Sequence, residues 1–418
     1  MTYQETLAWL YALEAKRGMD FRLERLVPVL DRLGHPEEAF PSIHVAGTNG
    51  KGSTAAMLHS IYASAGYRVG LYTSPHLLSF RERVRIGPTK IAEDDVVRWT
   101  HAVAEAMDAA GVELTFFEIA TLIAFLEFRA REVDLAVVEV GLGGRLDATN
   151  VVRTVAAAIT SVGLDHERYL GTTLAEIARE KAGILRGGAP LVTGDLPDEA
   201  LAVVAERVAE TGSRWLCFGK DFGPCTLVGA DRTSGALLGA HQQSNAAVAS
   251  AVARVLRETF PVEDGDIDRG IVGARWPGRL EIFAGSPTVV VDAAHNPEAV
   301  VALCAAIETL GLGAPRVLVF GVMADKDWRE MLCTLAPACE HVMLVPVDNP
   351  RSLDPRLARD LVQGLRPVDV ATSAAAGLRA ACALAGEDGT VIVAGSIFLV
   401  AEIYRSCGGA EDPFADAD

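Results

Sequence analysis

Short runs of apolar, β-branched residues alternate along most of the chain with longer stretches whose apolar positions recur at helical spacing. Ser42–Ala46, Arg68–Thr73, Leu135–Val140, Val155–Thr160 and Leu191–Thr193 read as strands; Ser53–Ala65, Asp94–Ala109 and Phe117–Arg131 read as helices. Such alternation predicts right-handed βαβ units, an α/β fold with a mainly parallel sheet and helices on both faces. A second series begins near residue 286, with strands at Thr288–Val291, Val317–Phe320, His341–Val345 and Thr390–Ala394. The turn residues Gly285-Ser-Pro287 suit a linker, which places an N-terminal domain over 1–284 and a smaller Rossmann-like α/β domain over 285–418. The Gly-rich stretch from about 215 to 240 reads as a small antiparallel element. The acidic tail Glu411–Asp418 reads as frayed.

Composition narrows the function classes. A length of 418 residues suits two or three domains, and 50% hydrophobic with 22% charged residues excludes a disordered chain. The 38 Lys+Arg against 55 Asp+Glu give a net charge of −17, which argues against nucleic-acid or anionic-membrane partners but leaves room for a local phosphate pocket. The N-terminal segment has helical apolar spacing with an early Glu5, unlike a secretion signal, and no apolar run approaches the roughly 18 residues that cross a bilayer. The seven cysteines (217, 225, 304, 333, 339, 382, 407) are scattered without a C-x-x-C pair, as reduced core thiols in a cytoplasmic protein would be. Positive charge is carried by 32 Arg and only 6 Lys, yet Lys51, Lys181 and Lys326 each sit in a dense motif. A lysine offers a compact charge and an amine that can be modified, which arginine does not.

The sharpest local signal is Gly47-Thr48-Asn49-Gly50-Lys51-Gly52-Ser53-Thr54, where a strand enters a glycine-rich turn and a helix begins. Backbone N–H groups and the helix N-terminus wrap an anion there; Lys51 reaches outer phosphates, and a hydroxyl at Ser53 or Thr54 can ligate Mg²⁺. Gly52, between the lysine and the hydroxyl, departs from the ordinary P-loop spacing. Glu139 closes an apolar strand before a Gly-rich turn running to Asn150, where a carboxylate needs a partner such as Mg²⁺. Asp165-His166 follows the next strand, and strand C-termini of such sheets are where ligands bind. Lys181 on its own reads as a surface lysine. In the second half, Asp292 to Pro297 and Asp325-Lys326-Asp327 follow strands; either could merely cap a helix, or both could form a second ligand surface.

Together these residues resemble the Mur-ligase superfamily, and within it the folylpolyglutamate synthase/dihydrofolate synthase family. The likeness also rests on Ser74-Pro-His-Leu77, Glu82-Arg-Val-Arg85, Thr115-Phe-Phe-Glu118, Glu139 to Asn150, Glu180-Lys-Ala-Gly-Ile184, His241-Gln242 with Asn245-Ala246, Trp276 to Glu281, and Gly395-Ser396. It implies a P-loop Mur-ligase-type central domain and a ligase that joins L-glutamate to 7,8-dihydropteroate or a reduced folate through an acyl phosphate, using ATP. It further implies that Thr48 to Ser53, Asn245, Arg279 and Asp292 bind ATP, and that Ser53, Ser74, Glu139, His166 and a carboxylated Lys181 surround two Mg²⁺ ions. Lys51, His166 and Lys181 would be the catalytic residues. Asp20, Phe21, Arg22, Thr115, Phe116, Phe117, Glu118, Leu146, Asp147 and Ala148 would hold the pteroate, and His295 and Ser396 the glutamate. Ala293 stands where the family usually has Gly. The resemblance leans towards a monomer whose two domains close over the intermediate. A peptidoglycan-precursor amino-acid ligase of the same superfamily and a P-loop NTPase switch are the competing readings.

Overall fold

The computed structural model describes residues 1–17, 22–225 and 237–406. The chain forms two compact units, one of residues 1–227 and 244–274, the other of residues 228–243 and 275–418.

The first unit is built on eight strands: β1 Pro41–Ala46, β2 Val69–Tyr72, β3 Val84–Ile86, β4 Thr89–Lys90, β5 Leu135–Glu139, β6 Arg153–Ile159, β7 Leu191–Thr193 and β8 Trp215–Cys217. Their order across the sheet is β4-β3-β2-β5-β1-β6-β7-β8. Only the β2–β3–β4 edge is antiparallel. Every residue of β5 is buried, as a strand covered on both faces requires. The helix Phe116–Ala130 is buried nearly all round and carries Phe125 and Phe128 onto Phe40, the second pair edge-to-face with centroids 5.5 Å apart. β1 sits between β5 and β6, so the chain leaves β1 towards one half of the sheet and returns through β6 to the other. That reversal puts the C-terminal ends of β5, β1 and β6 side by side at a topological switch point.

The second unit holds β9 Glu281–Phe283, β10 Thr288–Val291, β11 Arg316–Phe320, β12 His341–Leu344, β13 Val368–Val370 and β14 Thr390–Ala394, in the order β13-β12-β11-β14-β10-β9. Only β9, at the edge, runs antiparallel. Its core joins Val290, Leu318, Phe320 and Ile392 of the sheet to Leu303, Trp328, Met331 and Leu332 of the flanking helices.

Three expectations change. The stretch from 215 contributes β8, which runs parallel to β7 and extends the main sheet; residues 226–236 of that stretch lie outside the described residues. The second unit takes over at Arg275 instead of 285, because β9 pairs with β10. Of the described cysteines Cys217 and Cys339 are buried, while Cys333 is exposed and is no core thiol; none of the six is in a disulfide. No described helix is long and apolar enough to cross a membrane.

Candidate active site

The turn after β1 is laced to the segment that follows β6. Thr48 donates its N–H to the Ser161 carbonyl at 3.0 Å, and Asn49 donates its N–H to Ser161 Oγ at 2.9 Å. Thr160 Oγ1 donates to the Asn49 carbonyl at 2.6 Å, and Thr48 Oγ1 donates to the Gly163 carbonyl at 3.1 Å. The helix Lys51–Ser64 then starts with Gly50 in a left-handed conformation at its N-cap and no side chain capping it. An uncapped helix start behind a glycine turn presents N–H groups and a partial positive charge to an anion. Lys51 Nζ folds over this turn, donating to the carbonyl oxygens of Gly47 at 2.9 Å and Thr48 at 3.1 Å. Ser53 is buried in the first helical turn, and Asn245, on the helix Ala240–Val255, presses its amide against Gly50.

Glu139 ends β5, buried, next to this turn; its Oε2 accepts the Ser74 N–H at 3.0 Å. Two of the residues expected near magnesium, Ser74 and Glu139, are thus brought together directly. Glu82 holds the Ser74-to-Leu77 loop from behind, accepting the N–H groups of Leu77, Leu78 and Ser79 at 2.7, 2.9 and 2.7 Å. His166 is half-exposed, beyond the end of β6 at the start of a short helix, with its N–H on the Asp165 carboxylate at 2.8 Å. Lys181 is not a surface lysine: it is 3% exposed within the helix Leu174–Ala182. The Gly-rich turn after β5 lies on that helix, with Arg145 donating its N–H to the Glu180 carbonyl at 2.8 Å and its guanidinium to Glu180 Oε1. Asn150 donates from Nδ2 to the Arg145 and Gly183 carbonyls, closing the turn.

An aromatic wall stands beside Glu139. Phe117 closes on Gly141, where a Cβ would lie 2.4 Å from the ring, so only glycine admits the phenyl group at that distance. The Phe116 ring lies 5.0 Å from the Arg83 guanidinium and 6.1 Å from Phe80, and Arg83 Nε donates to His76 Nδ1 at 2.8 Å. Thr115 and Glu118 form a capping box at this helix start, and Arg25 Nη2 donates to both Glu118 oxygens at 2.9 Å. Of the expected pteroate segment near the N-terminus, Asp20 and Phe21 lie outside the described residues, and Arg22 is exposed just before a short 3₁₀ turn. Asp147 is fully engaged by its own loop: it accepts the Leu142 N–H on Oδ2 and the Thr149 N–H and hydroxyl on Oδ1. Burial raises its pKa, against those hydrogen bonds.

The second unit gathers its own candidates at the ends of β10 and β14. Asp292 accepts the Leu280 N–H on Oδ2 and the Ala294 N–H on Oδ1, both at 2.7 Å, tying the Arg279 turn to the His295 loop. Burial lowers the pKa of His241 there, partly offset by Asp292. Gly395 donates its N–H to the Ala294 carbonyl at 3.0 Å, which brings Ser396 alongside His295. Asn296 caps the helix Pro297–Thr309, and Asp327 caps the helix Trp328–Leu335, so the Asp325-Lys326-Asp327 run has at least a helix-start role.

This geometry meets known proteins at both levels of comparison. Residues 45–223 match the Mur ligase middle domain and residues 278–397 the Mur ligase glutamate ligase domain. The chain is 36% identical over 436 residues to the folylpolyglutamate synthase of Lacticaseibacillus casei, covering 98% of this chain and 100% of that one. The chain belongs to the folylpolyglutamate synthase/dihydrofolate synthase family. An Escherichia coli member, a dihydrofolate synthase/folylpolyglutamate synthase, is 36% identical over 406 residues, covering 95% of this chain and 94% of its own. The E. coli FolC structure in complex with DHPP and ADP superposes with a TM-score of 0.88 at 33% identity, covering 97% and 98% of the two chains. A Mycobacterium tuberculosis folylpolyglutamate synthase structure complexed with ADP and AMPPCP also reaches 0.88, at 30% identity over 98% of this chain and 100% of its own. Members of this synthase family are ATP-dependent acid–amino-acid ligases, and so is this chain.

Several supporting residues escaped the sequence reading. Thr160 and Ser161 lacked any signal beyond their place after a strand, and Arg25 lay 93 residues from its partner Glu118. His44 did carry one, being an imidazole set between Ile43 and Val45 in a mostly apolar strand.

Proposed function

We infer that this synthase joins L-glutamate to the carboxylate of 7,8-dihydropteroate, of a reduced folate, or of both. The observation that carries the reading is the meeting, at one switch point, of a phosphate turn after β1 and a buried carboxylate at the end of β5, with an aromatic wall beside them. The DHPP and ADP held by the E. coli relative support a pterin on the wall and a nucleotide on the turn.

In this reading the Gly47–Ser53 turn, with Asn245, binds the ATP phosphates, and Lys51 swings from its carbonyls onto the outer phosphate oxygens. Arg279 and Asp292 are assigned to ATP as well, and His295 and Ser396 to the glutamate. The pteroate carboxylate takes the γ-phosphoryl group, giving an acyl phosphate; the glutamate amine attacks it, and phosphate leaves as the amide forms. Glu139, Ser74 and Ser53 make a hard oxygen donor set that fits Mg²⁺, joined by His166 and by Lys181 as its carbamate. Bound Mg²⁺ would neutralise charge on the phosphate oxygens, the main requirement of phosphoryl transfer. The Arg25–Glu118 pair and the Phe116–Phe117 segment shape the pteroate side of the site. The chemistry uses ATP and free glutamate, which supports a cytoplasmic location.

The test is ATP turnover by purified protein with each acceptor in turn. Release of ADP that needs both glutamate and dihydropteroate or a reduced folate is the expected result, abolished in Lys51→Ala with the fold retained. Turnover indifferent to the acceptor would overturn the reading and favour a plain NTPase.

A further inference from the structure

A buried polar chain runs from the middle of β1 to the turn that follows β5. His44 is fully buried, with neighbours Ile43 and Val45 also without exposure. Its Nε2 lies 2.8 Å from Thr149 Oγ1, and the Thr149 hydroxyl in turn donates to Asp147 Oδ1. Asp147 also accepts the backbone N–H groups of Leu142 and Thr149, which favour its ionised form against the burial that raises its pKa. A hydroxyl has one proton, and with Asp147 ionised that proton goes to the carboxylate; His44 then supplies the other one, as a neutral ring protonated on Nε2. Its Nδ1 has no partner, so the ring has no second acceptor for which to turn. Burial, with Arg186 adding to it, holds the imidazole neutral, its pKa pushed down to about 3.

We propose that His44 is a positioning residue for pteroate binding: by donating to Thr149 it fixes Asp147, and Asp147 fixes the Leu146–Ala148 segment against which the pterin end of the substrate lies. The proposal rests on the pteroate reading of that segment given above. It explains why a histidine interrupts an apolar strand, at a place where leucine or valine would pack with no unpartnered nitrogen. The phosphate turn, three residues beyond, is tied instead to Thr160, Ser161 and Gly163, so the relay acts on the pteroate side of the site and not on the nucleotide.

The experiment measures KM for dihydropteroate and for ATP in wild type, His44→Leu, His44→Gln and Thr149→Val. His44→Leu fills the space without a donor and is expected to raise the dihydropteroate KM roughly tenfold or more, the usual effect of losing a buried hydrogen bond to a charged network, while the ATP KM stays within about twofold. His44→Gln restores an N–H near the same place and is expected to recover most of that loss. Thr149→Val removes the middle link at nearly constant volume; it is expected to show the same selective rise and decides the matter should His44→Leu not fold. Equal effects on both substrates, or no recovery by glutamine, would overturn the positioning role. A wild type whose ATP turnover ignores dihydropteroate would overturn the site reading, and the role with it; an active wild type with an unchanged KM in the variants would overturn the role alone.

Discussion

Asn245 stands so close to Gly50 that a Cβ at position 50 would lie 2.4 Å from Asn245 Oδ1. Gly50 also holds a φ of +83°, where side chains are strained. Gly50→Ala is therefore expected to cost about 1–3 kcal/mol of stability in urea unfolding. It is expected to displace Asn245 or the helix start, raising the ATP KM more than the dihydropteroate KM.

Lys181 is buried, and its helix is clamped to the Gly-rich turn through Arg145 and Glu180. If its amine carries a carboxyl group, arginine cannot replace it, because a guanidinium is not carboxylated. Lys181→Arg is expected to lose at least about 100-fold in kcat, of the order found when one charge-stabilising group is removed. Intact-mass measurement at neutral pH with added bicarbonate should show the carbamate in the wild type and not in the variant. Activity equal to wild type in Lys181→Arg would remove the modified-lysine role.

Glu118 takes both the Arg25 guanidinium and the Thr115 cap. Glu118→Gln keeps the shape and leaves Arg25, mostly buried, without its counter-charge. The expected loss is about 3 kcal/mol, the common result of breaking a buried pair on one side, read as a lower urea midpoint. The dihydropteroate KM should rise as the Phe116–Phe117 segment loosens.

Two buried histidines make the fold acid-sensitive. His44 and His59 are each held near a pKa of about 3, both mainly by burial, with Arg186 and Arg85 respectively adding to it. The unfolded chain binds those protons below about pH 6.5 and the native chain does not, so stability is full above that pH and falls as the pH drops towards 3. Each histidine adds a slope of about 1.4 kcal/mol per pH unit well inside that window. Urea unfolding at pH 7, 6 and 5 should show it, and His59→Gln should remove about one histidine's share.

Much of this was readable in the chain because parallel α/β units write themselves twice, as apolar runs and as the polar residues at their ends. The phosphate helix, expected at Ser53–Ala65, forms at Lys51–Ser64, and the run Thr390–Ala394 is a strand with the same bounds. What the chain did not reveal lies in elements too short to carry a periodic pattern and in contacts remote in sequence. Strand β9 is three residues long and gains its place through β10; in the β3–β4 hairpin the strands have three and two residues. Lys181 looked like a surface side chain because burial there comes from packing that no local pattern encodes. Glu139 was legible, a carboxylate in an apolar strand, yet its partner is a backbone N–H 65 residues upstream.

Lys51 is bonded to the carbonyl oxygens of Gly47 and Thr48, in the turn proposed above to hold the nucleotide phosphates. Binding then trades one set of oxygen acceptors for another, and the long side chain gives up little freedom in the exchange. On that proposal, part of the ordering cost of nucleotide capture is met when the chain folds.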